Sequence, residues 1–325
     1  MRYKYPKIHN WIVFRKTKDG EYEAYDYMNE ESCLLGSGIG YFAKHLDGKT
    51  DPFLIIRRLS DEDVAMLLRR LDKLGFLRRS RFFSVSFGEL YCTVFTPKSK
   101  QRKTSVPAFL NMLLQMFFLP AFIAGSYSFF SKLPKLSGGM VLLNCILGIV
   151  GGMILHEIGH MIASLAYGGQ VFEAGVMLRI VLPGAYVMMD NSSVKDPLKR
   201  AQINAAGIEA NLLLSGILFM IASNIAWNSE GFFFSALLNA ELALTNLILV
   251  DGLDGAGVVS ALLGIESLGA EAKGYCQCWF KGGQAQKRKA PDVVYLTMCF
   301  STVMIQPVYV VMLILDIWGV VAWLL

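Results

Sequence analysis

Hydrophobic positions follow two different regimes along the chain. In the first hundred or so residues they are interleaved with charges, whereas from about residue 106 onward they gather in long charge-free runs. In the front region, Trp11-Ile12-Val13-Phe14 and Tyr22-Glu23-Ala24-Tyr25 flank Asp19-Gly20, a strong hairpin signal. Asp51-Pro52 suits the start of a helix, because Asp caps free amides and Pro fits the first helical position. Ser60, with Asp63 three residues on, opens a second helix. Val64, Leu67, Leu68, Leu71 and Leu74 form its apolar stripe, and Gly75 is placed to end it. Arg78 to Phe95 alternates loosely and predicts further strand. Two helices followed by strand predict a small α/β winged-helix-like unit.

The apolar runs behind it are long enough to cross a bilayer, which takes about 20 predominantly apolar residues. Pro107 to Phe130 and Leu136 to Leu155 carry no charge, and the second run continues through His160 and Met161. Ala201 to Ala226 is interrupted by Glu209, and Gly231 to Val250 by Glu241. A last tract starts at Val293 and contains Pro307 and Asp316; at about 1.5 Å per helical residue it exceeds one perpendicular span. The expected fold is mainly α, a polytopic membrane helical bundle behind the α/β unit. The expected domains are residues 1–96, a basic linker at 97–106, and a membrane domain at 107–325.

Composition agrees: 54% of residues are hydrophobic and 18% charged, and the mean hydropathy is +0.43. That is too apolar for an ordinary soluble protein. Basic residues cluster before the first run (Lys98, Lys100, Arg102, Lys103), between Asp190 and Arg200, and in a late polar loop from Lys273 to Lys289. The positive-inside rule then places the front domain and both later basic loops in the cytoplasm, as in a multi-pass cell-membrane protein. The net charge of +5 reads as orientation in the lipid bilayer rather than nucleic-acid binding. The polar, aromatic N-terminus predicts no cleavable signal peptide. The six cysteines are expected to remain free thiols, and Cys276-Gln277-Cys278 is too tightly spaced for a zinc pair.

The chemistry concentrates at His156-Glu157-Ile158-Gly159-His160. Two histidines four residues apart share one helix face and can ligate one Zn²⁺, while the intervening glutamate can take a proton from a water molecule. Three ionisable side chains in an otherwise apolar run are costly, which argues for function. Catalytic zinc usually takes three protein ligands, and the other two of the four histidines, His9 and His45, lie in the front domain as ordinary structural or surface residues. A carboxylate from Val250-Asp251-Gly252-Leu253-Asp254-Gly255 is the expected third ligand. Spacing alone does not separate Asp251 from Asp254.

From about residue 106 to its end, the chain resembles the site-2 protease family of intramembrane zinc metalloproteases. The resemblance rests on the HExxH segment and on Asn246 to Gly255, which follows the family's Asn-x-x-Pro-x-x-x-Leu-Asp-Gly pattern with Leu249 in place of proline. It implies Zn²⁺ held by His156, His160 and Asp254, with Glu157 as general base. Asn204-Ala205-Ala206-Gly207-Ile208-Glu209-Ala210-Asn211 resembles the family's Ala-Gly-Pro-x-x-Asn segment, Ile208 replacing proline. Asn204, Asn211 and Asn246 are the corresponding substrate-binding candidates, with close helix packing as the alternative role. Val171 to Met189, apolar but broken by Gly175 and Pro183-Gly184, resembles the family's membrane-associated β-hairpin, implied to hold extended substrate as an added strand.

Met28 to Glu31, Gly40 to Phe42, His45 to Thr50 and Leu71 to Leu77 together resemble the PqqD-like peptide-recognition domains of modified-peptide biosynthesis. That implies a precursor's leader peptide as partner; a generic winged helix, DNA-binding forms included, is the alternative. The combined expectation is an intramembrane zinc endopeptidase maturing a ribosomally made peptide. The rivals are regulated cleavage of a transmembrane anti-sigma factor or signal-peptide remnant, and a non-catalytic membrane peptide-binding or immunity protein.

Overall fold

The computed structural model describes residues 2–27, 31–80, 82–86, 89–97, 105–135, 141–179, 182–265, 267–280 and 289–304. They form two compact units. One draws on residues up to 104 together with Gly168–Ser193, the other on Ser105–Tyr167 together with residues from Val194 on.

The first unit opens with β1 (Arg2–Ile8), then an antiparallel meander of β2 (Ile12–Lys16), β3 (Tyr22–Asp26) and β4 (Glu31–Leu35). The hairpin expected at Asp19-Gly20 joins β2 to β3, with Gly20 at φ +84°, a left-handed turn that glycine adopts without strain. A helix the sequence pattern did not announce, α1 (Ser37–Lys44), follows; its Ser-Gly-Ile-Gly start reads as a loop, yet Phe42 and Ala43 are fully buried. Next come α2 (Pro52–Ile55), capped by Asp51, and α3 (Asp61–Lys73), opened by a reciprocal Ser60–Asp63 capping box. Val64 and Leu71 bury the stripe of α3 beside Trp11, Phe42 and Phe76, and Gly75 turns the chain out at φ +73°.

β5 (Leu77–Ser80) returns antiparallel to β1. The rest of the unit is one antiparallel sheet in the order β6 (Phe83–Ser86), β7 (Glu89–Phe95), β8 (Gln170–Arg179), β9 (Leu182–Asp190). The apolar segment around Val171 to Met189 is therefore a hairpin, and its first strand is paired in turn to β7, with Leu90 opposite Leu178 and Cys92 opposite Val176. Gly175 lets the two backbones approach, since any Cβ there would meet the Cys92 carbonyl oxygen. Phe172 and Met188 from the hairpin pack on the Trp11–Phe42 core, so the unit is closed by residues from distant parts of the chain.

The second unit is helical: α4 (Ser105–Lys132), α5 (Val141–Tyr167), α6 (Pro197–Asn224), α7 (Ser229–Asn246), α8 (Asp254–Leu263), α9 (Leu268–Phe280) and α10 (Asp292–Met304). Three of these, α4, α5 and α6, are long and apolar enough to cross a membrane. Half of the most apolar stretch of α6 is buried, against 11% for α4 and 17% for α5, which makes α6 the central helix of the unit. Backbones touch where α4 and α6 cross at Gly125 and Gly216, as glycine permits in an apolar bundle. A hydroxyl hub ties three helices together: Tyr167 receives Asn111 Nδ2 at 3.0 Å and Gln115 Nε2 at 3.2 Å, and donates to Gln202 Oε1 at 2.6 Å.

Two expectations change. The late segment read as a polar loop is helical around Lys273, because Leu268 and Ala272 bury against Tyr295 and Met298 of α10. The same packing brings Cys276 and Cys299 into a disulfide, where free thiols were expected. Of the other two apolar runs, α7 is not among the helices long and apolar enough to cross a membrane, its apolar character being diluted by Glu230, Glu241, Asn239 and Asn246. The tract beginning at Val293 is described as far as Met304; Pro307 and Asp316 lie outside the described residues.

Candidate metal centre

The site begins with the four-residue periodicity of α5. Gly148, Gly152, His156 and His160 recur at that interval and line one face of the helix. On the early part of this face α7 comes close: Ser235 Oγ donates to the Asn144 carbonyl at 2.8 Å, and Asn239 Nδ2 to the Gly148 carbonyl at 3.1 Å. A Cβ at Gly148 would lie 2.6 Å from Ser235, and one at Gly152 would collide with Asn239 Oδ1. Farther along, α6 replaces α7. A Cβ at Gly159 would lie 2.5 Å from the Ala206 carbonyl oxygen, and one at Gly207 would lie 2.5–2.6 Å from His160 Nε2 and His156 Nε2. Helix packing and placement of the imidazoles are thus one problem, solved by glycines.

Both histidines are buried, at 9% and 7% exposure. His160 Nδ1 lies 2.7 Å from the Ile203 carbonyl oxygen, which can only accept, so the ring proton sits on Nδ1 and the Nε2 lone pair points inward. His160 Nε2 lies 3.1 Å from His156 Nε2. The third group arrives from α8. Gly252, at φ +86°, turns the chain after α7, and Asp254 occupies the first position of α8, where the helix dipole favours a carboxylate. Gly255 packs directly against the Leu247 carbonyl at the end of α7, an approach closed to any side chain. Asp254 Oδ2 then stands 2.9 Å from His156 Nε2 and 3.2 Å from His160 Nε2.

Three ligand atoms therefore form a triangle with edges of 2.9, 3.1 and 3.2 Å. Tetrahedral zinc with ligand distances of about 2.0–2.2 Å has neighbouring ligand atoms roughly 3.3–3.5 Å apart, so the triangle is nearly the face that such an ion requires. Two imidazole nitrogens and a carboxylate oxygen this close in a buried space need a shared proton or a cation between them, and a bound cation would satisfy all three at once. Donor set and geometry both fit Zn²⁺.

The structure separates the two aspartates that spacing left open: Asp251 is exposed, with its carboxylate against Gly269 of α9. Glu157 follows His156 on α5 and is half-buried. Asn204, Gly207 and Asn211 share a stripe of α6. Asn204 lies beside Gly257 of α8, and Asn211 is 1% exposed with no hydrogen-bond partner for Oδ1 among the described residues. Asn246 turns back to its own helix, donating to the Leu242 carbonyl at 3.0 Å, and is not brought to the centre by any hydrogen bond among the described residues. Sequence reasoning missed Asn239 and Ser235, whose only signal was polarity within an apolar run.

No curated protein and no solved structure matches the chain. Residues 144–230, well under half of it, match the model of Peptidase family M50, the site-2 protease family of membrane metallopeptidases, and that stretch carries His156, Glu157 and His160 while stopping short of Asp254.

Proposed function

We propose that the protein is an intramembrane zinc endopeptidase that matures a ribosomally made peptide, cutting it near the cytoplasmic face of the cell membrane. The convergence of His156, His160 and Asp254 from α5 and α8 on one buried point carries this reading. These three residues would hold Zn²⁺, which when bound would supply Lewis-acid polarisation of the scissile carbonyl and a lowered pKa for water. Glu157 accepts a proton from the attacking water as the C–O bond forms, and returns it to the amide nitrogen as the C–N bond breaks. Asn211, buried with no partner for its Oδ1 among the described residues, and Asn204 orient the substrate backbone beside Gly207. The hairpin β8–β9 takes extended substrate along β9, whose outer edge has no strand partner among the described residues.

The first unit selects the substrate. Its β4 pairs only with β3 among the described residues and exposes Leu34, which suits an added strand from a leader peptide. Regulated cleavage of an anti-sigma factor would use the same centre, but it gives this peptide-sized edge no role.

Glu157→Gln should leave zinc bound and abolish cleavage, while His156→Ala should lose the metal; proteolysis by the Gln variant would sink the mechanism. For the leader, titration with peptides encoded beside this gene is the test, and absence of binding removes that part.

A further inference from the structure

The two histidines of the centre are not held alike. His160 fixes its ring by donating from Nδ1 to the Ile203 carbonyl at 2.7 Å, whereas His156 Nδ1 is buried with no hydrogen-bond partner among the described residues. An imidazole that offers Nε2 to a metal carries its proton on Nδ1, and ligating histidines almost always donate that proton to an oxygen. His156 therefore needs an acceptor from outside the direct reach of its described neighbours.

Two buried oxygens stand about one helical turn away. Asn239, fully buried on α7, donates from Nδ2 to the Gly148 carbonyl at 3.1 Å and the Ser235 carbonyl at 2.8 Å, which turns its Oδ1 the other way. That oxygen lies against Gly152, four residues before His156 on the same face of α5, and has no donor among the described residues. Asn211, 1% exposed, follows Gly207 by one turn of α6, and a Cβ on Gly207 would touch the His156 ring. Its Oδ1 is likewise without a partner among the described residues. The two asparagines share a level of the bundle. The Ser215 hydroxyl donates to the Ala236 carbonyl at 2.8 Å, and Asn211 and Asn239 each lie one turn from that contact, toward His156.

One donor and two acceptors, each at least nine-tenths buried, thus face one region from α5, α6 and α7. Orphaned polar atoms in an apolar bundle are costly. A single water molecule satisfies all three with its ordinary valence. It accepts from His156 Nδ1 and donates one proton to each asparagine oxygen, the number of bonds usual for buried water. We propose that Asn211 and Asn239 are positioning residues that hold a structural water on His156 Nδ1, setting the tautomer and ring orientation of that ligand. The inference rests on the metal-binding reading above. It gives α7, which contributes no ligand, a part in the zinc affinity of the centre, and it leaves the Asn211 amide nitrogen for the substrate.

The test measures zinc affinity by chelator competition on the full chain in lipid vesicles, without substrate. The variants are Asn239→Ala, Asn211→Ala, the two combined, and Ser235→Ala. Each asparagine variant should bind zinc on the order of 10–100-fold more weakly. The combined variant should lose little more than the weaker-binding single one, because both changes remove the same water. Ser235→Ala deletes the neighbouring fastening of α7 to the Asn144 carbonyl; it should lower the thermal midpoint and leave zinc affinity unchanged. In the zinc-loaded chain carrying isotope-labelled histidine, solid-state NMR should correlate the Nδ1 proton of His156 with water, and that of His160 with none. Asn211→Ala carries the test if Asn239→Ala fails to accumulate. Unchanged zinc affinity in the folded asparagine variants, an equal loss in Ser235→Ala, or a His156 proton without a water correlation overturns the proposal. An unaltered chain that binds no zinc overturns instead the metal-binding reading beneath it.

Discussion

Gly207 lies against His160 so closely that a methyl group on it would sit 2.5 Å from Nε2. The central helix α6 therefore forms one wall of the candidate metal centre, and at Gly207 that wall has no room for a side chain. Gly207→Ala should displace one or both imidazoles, because overpacking a close-fitting site costs about 1–3 kcal/mol or forces movement. Zinc affinity should fall at least 10–100-fold, as it does when ligand-orienting groups are disturbed. Metal analysis after dialysis against a graded chelator measures this directly, and full zinc retention would contradict the geometry.

The two aspartates before α8 should behave differently. Asp254→Ala removes the carboxylate oxygen that stands 2.9 Å from His156 Nε2, and should lose both zinc and activity. Asp251→Ala touches an exposed carboxylate beside Gly269 and should keep both. Paired zinc and activity assays on the two purified variants decide the matter.

Asn239 is expected to act at a distance. It is fully buried and fastens α7 to the Gly148 carbonyl of α5. Polar contacts between helices in lipid are worth about 0.6 kcal/mol on average and up to about 1.7, so Asn239→Ala should lower the thermal midpoint modestly. Gly152→Leu should be far worse, since even a Cβ there meets Asn239 Oδ1 and His156 lies one turn farther along α5. Thermal unfolding in detergent, with and without zinc, measures both effects.

His9 gives the first unit a pH dependence. Burial first, then the charges of Arg78 and Lys7, lower its pKa from 6.5 to about 3. The unfolded chain therefore binds a proton that the folded unit refuses. Stability from this group is fully present above pH 6.5 and is lost as pH falls from 6.5 toward 3, by up to about 1.4 kcal/mol per pH unit. Because His9 stacks on Trp11 at 4.1 Å between ring centroids, tryptophan fluorescence is a suitable monitor of melts between pH 5 and 7.5. His9→Phe should flatten that dependence; an equal slope in the variant would assign it elsewhere.

What the sequence made legible was mostly local. Capping residues Asp51 and Ser60, the turn at Asp19-Gly20 and the helical spacing of His156 and His160 act within a few residues of themselves, and the structure holds each of them. Asp254 was reached only through its resemblance to a family pattern, because spacing alone allowed Asp251 as well. The glycine-rich start of α1 concealed a helix whose cause is tertiary, the burial of Phe42. The pairing of β7 with β8 was not legible either. Alternation announces a strand but not its partner, and these two lie about 80 residues apart. Glu173 went unremarked inside an apolar segment for the same reason: its partners Arg78 and Thr93 belong to another part of the chain.

The way β7 occupies one flank of the hairpin has a consequence for inhibitor chemistry. If a bound peptide runs antiparallel along β9, its successive amides point alternately toward β9 and away from it. Methylating the nitrogens that face the strand should abolish binding, whereas methylating those in between should be tolerated and should protect the peptide from other proteases. A scan of single N-methyl substitutions through a substrate peptide would then read out as a two-residue rhythm, and its phase would report which residues of the peptide stand opposite Tyr186 and Met188.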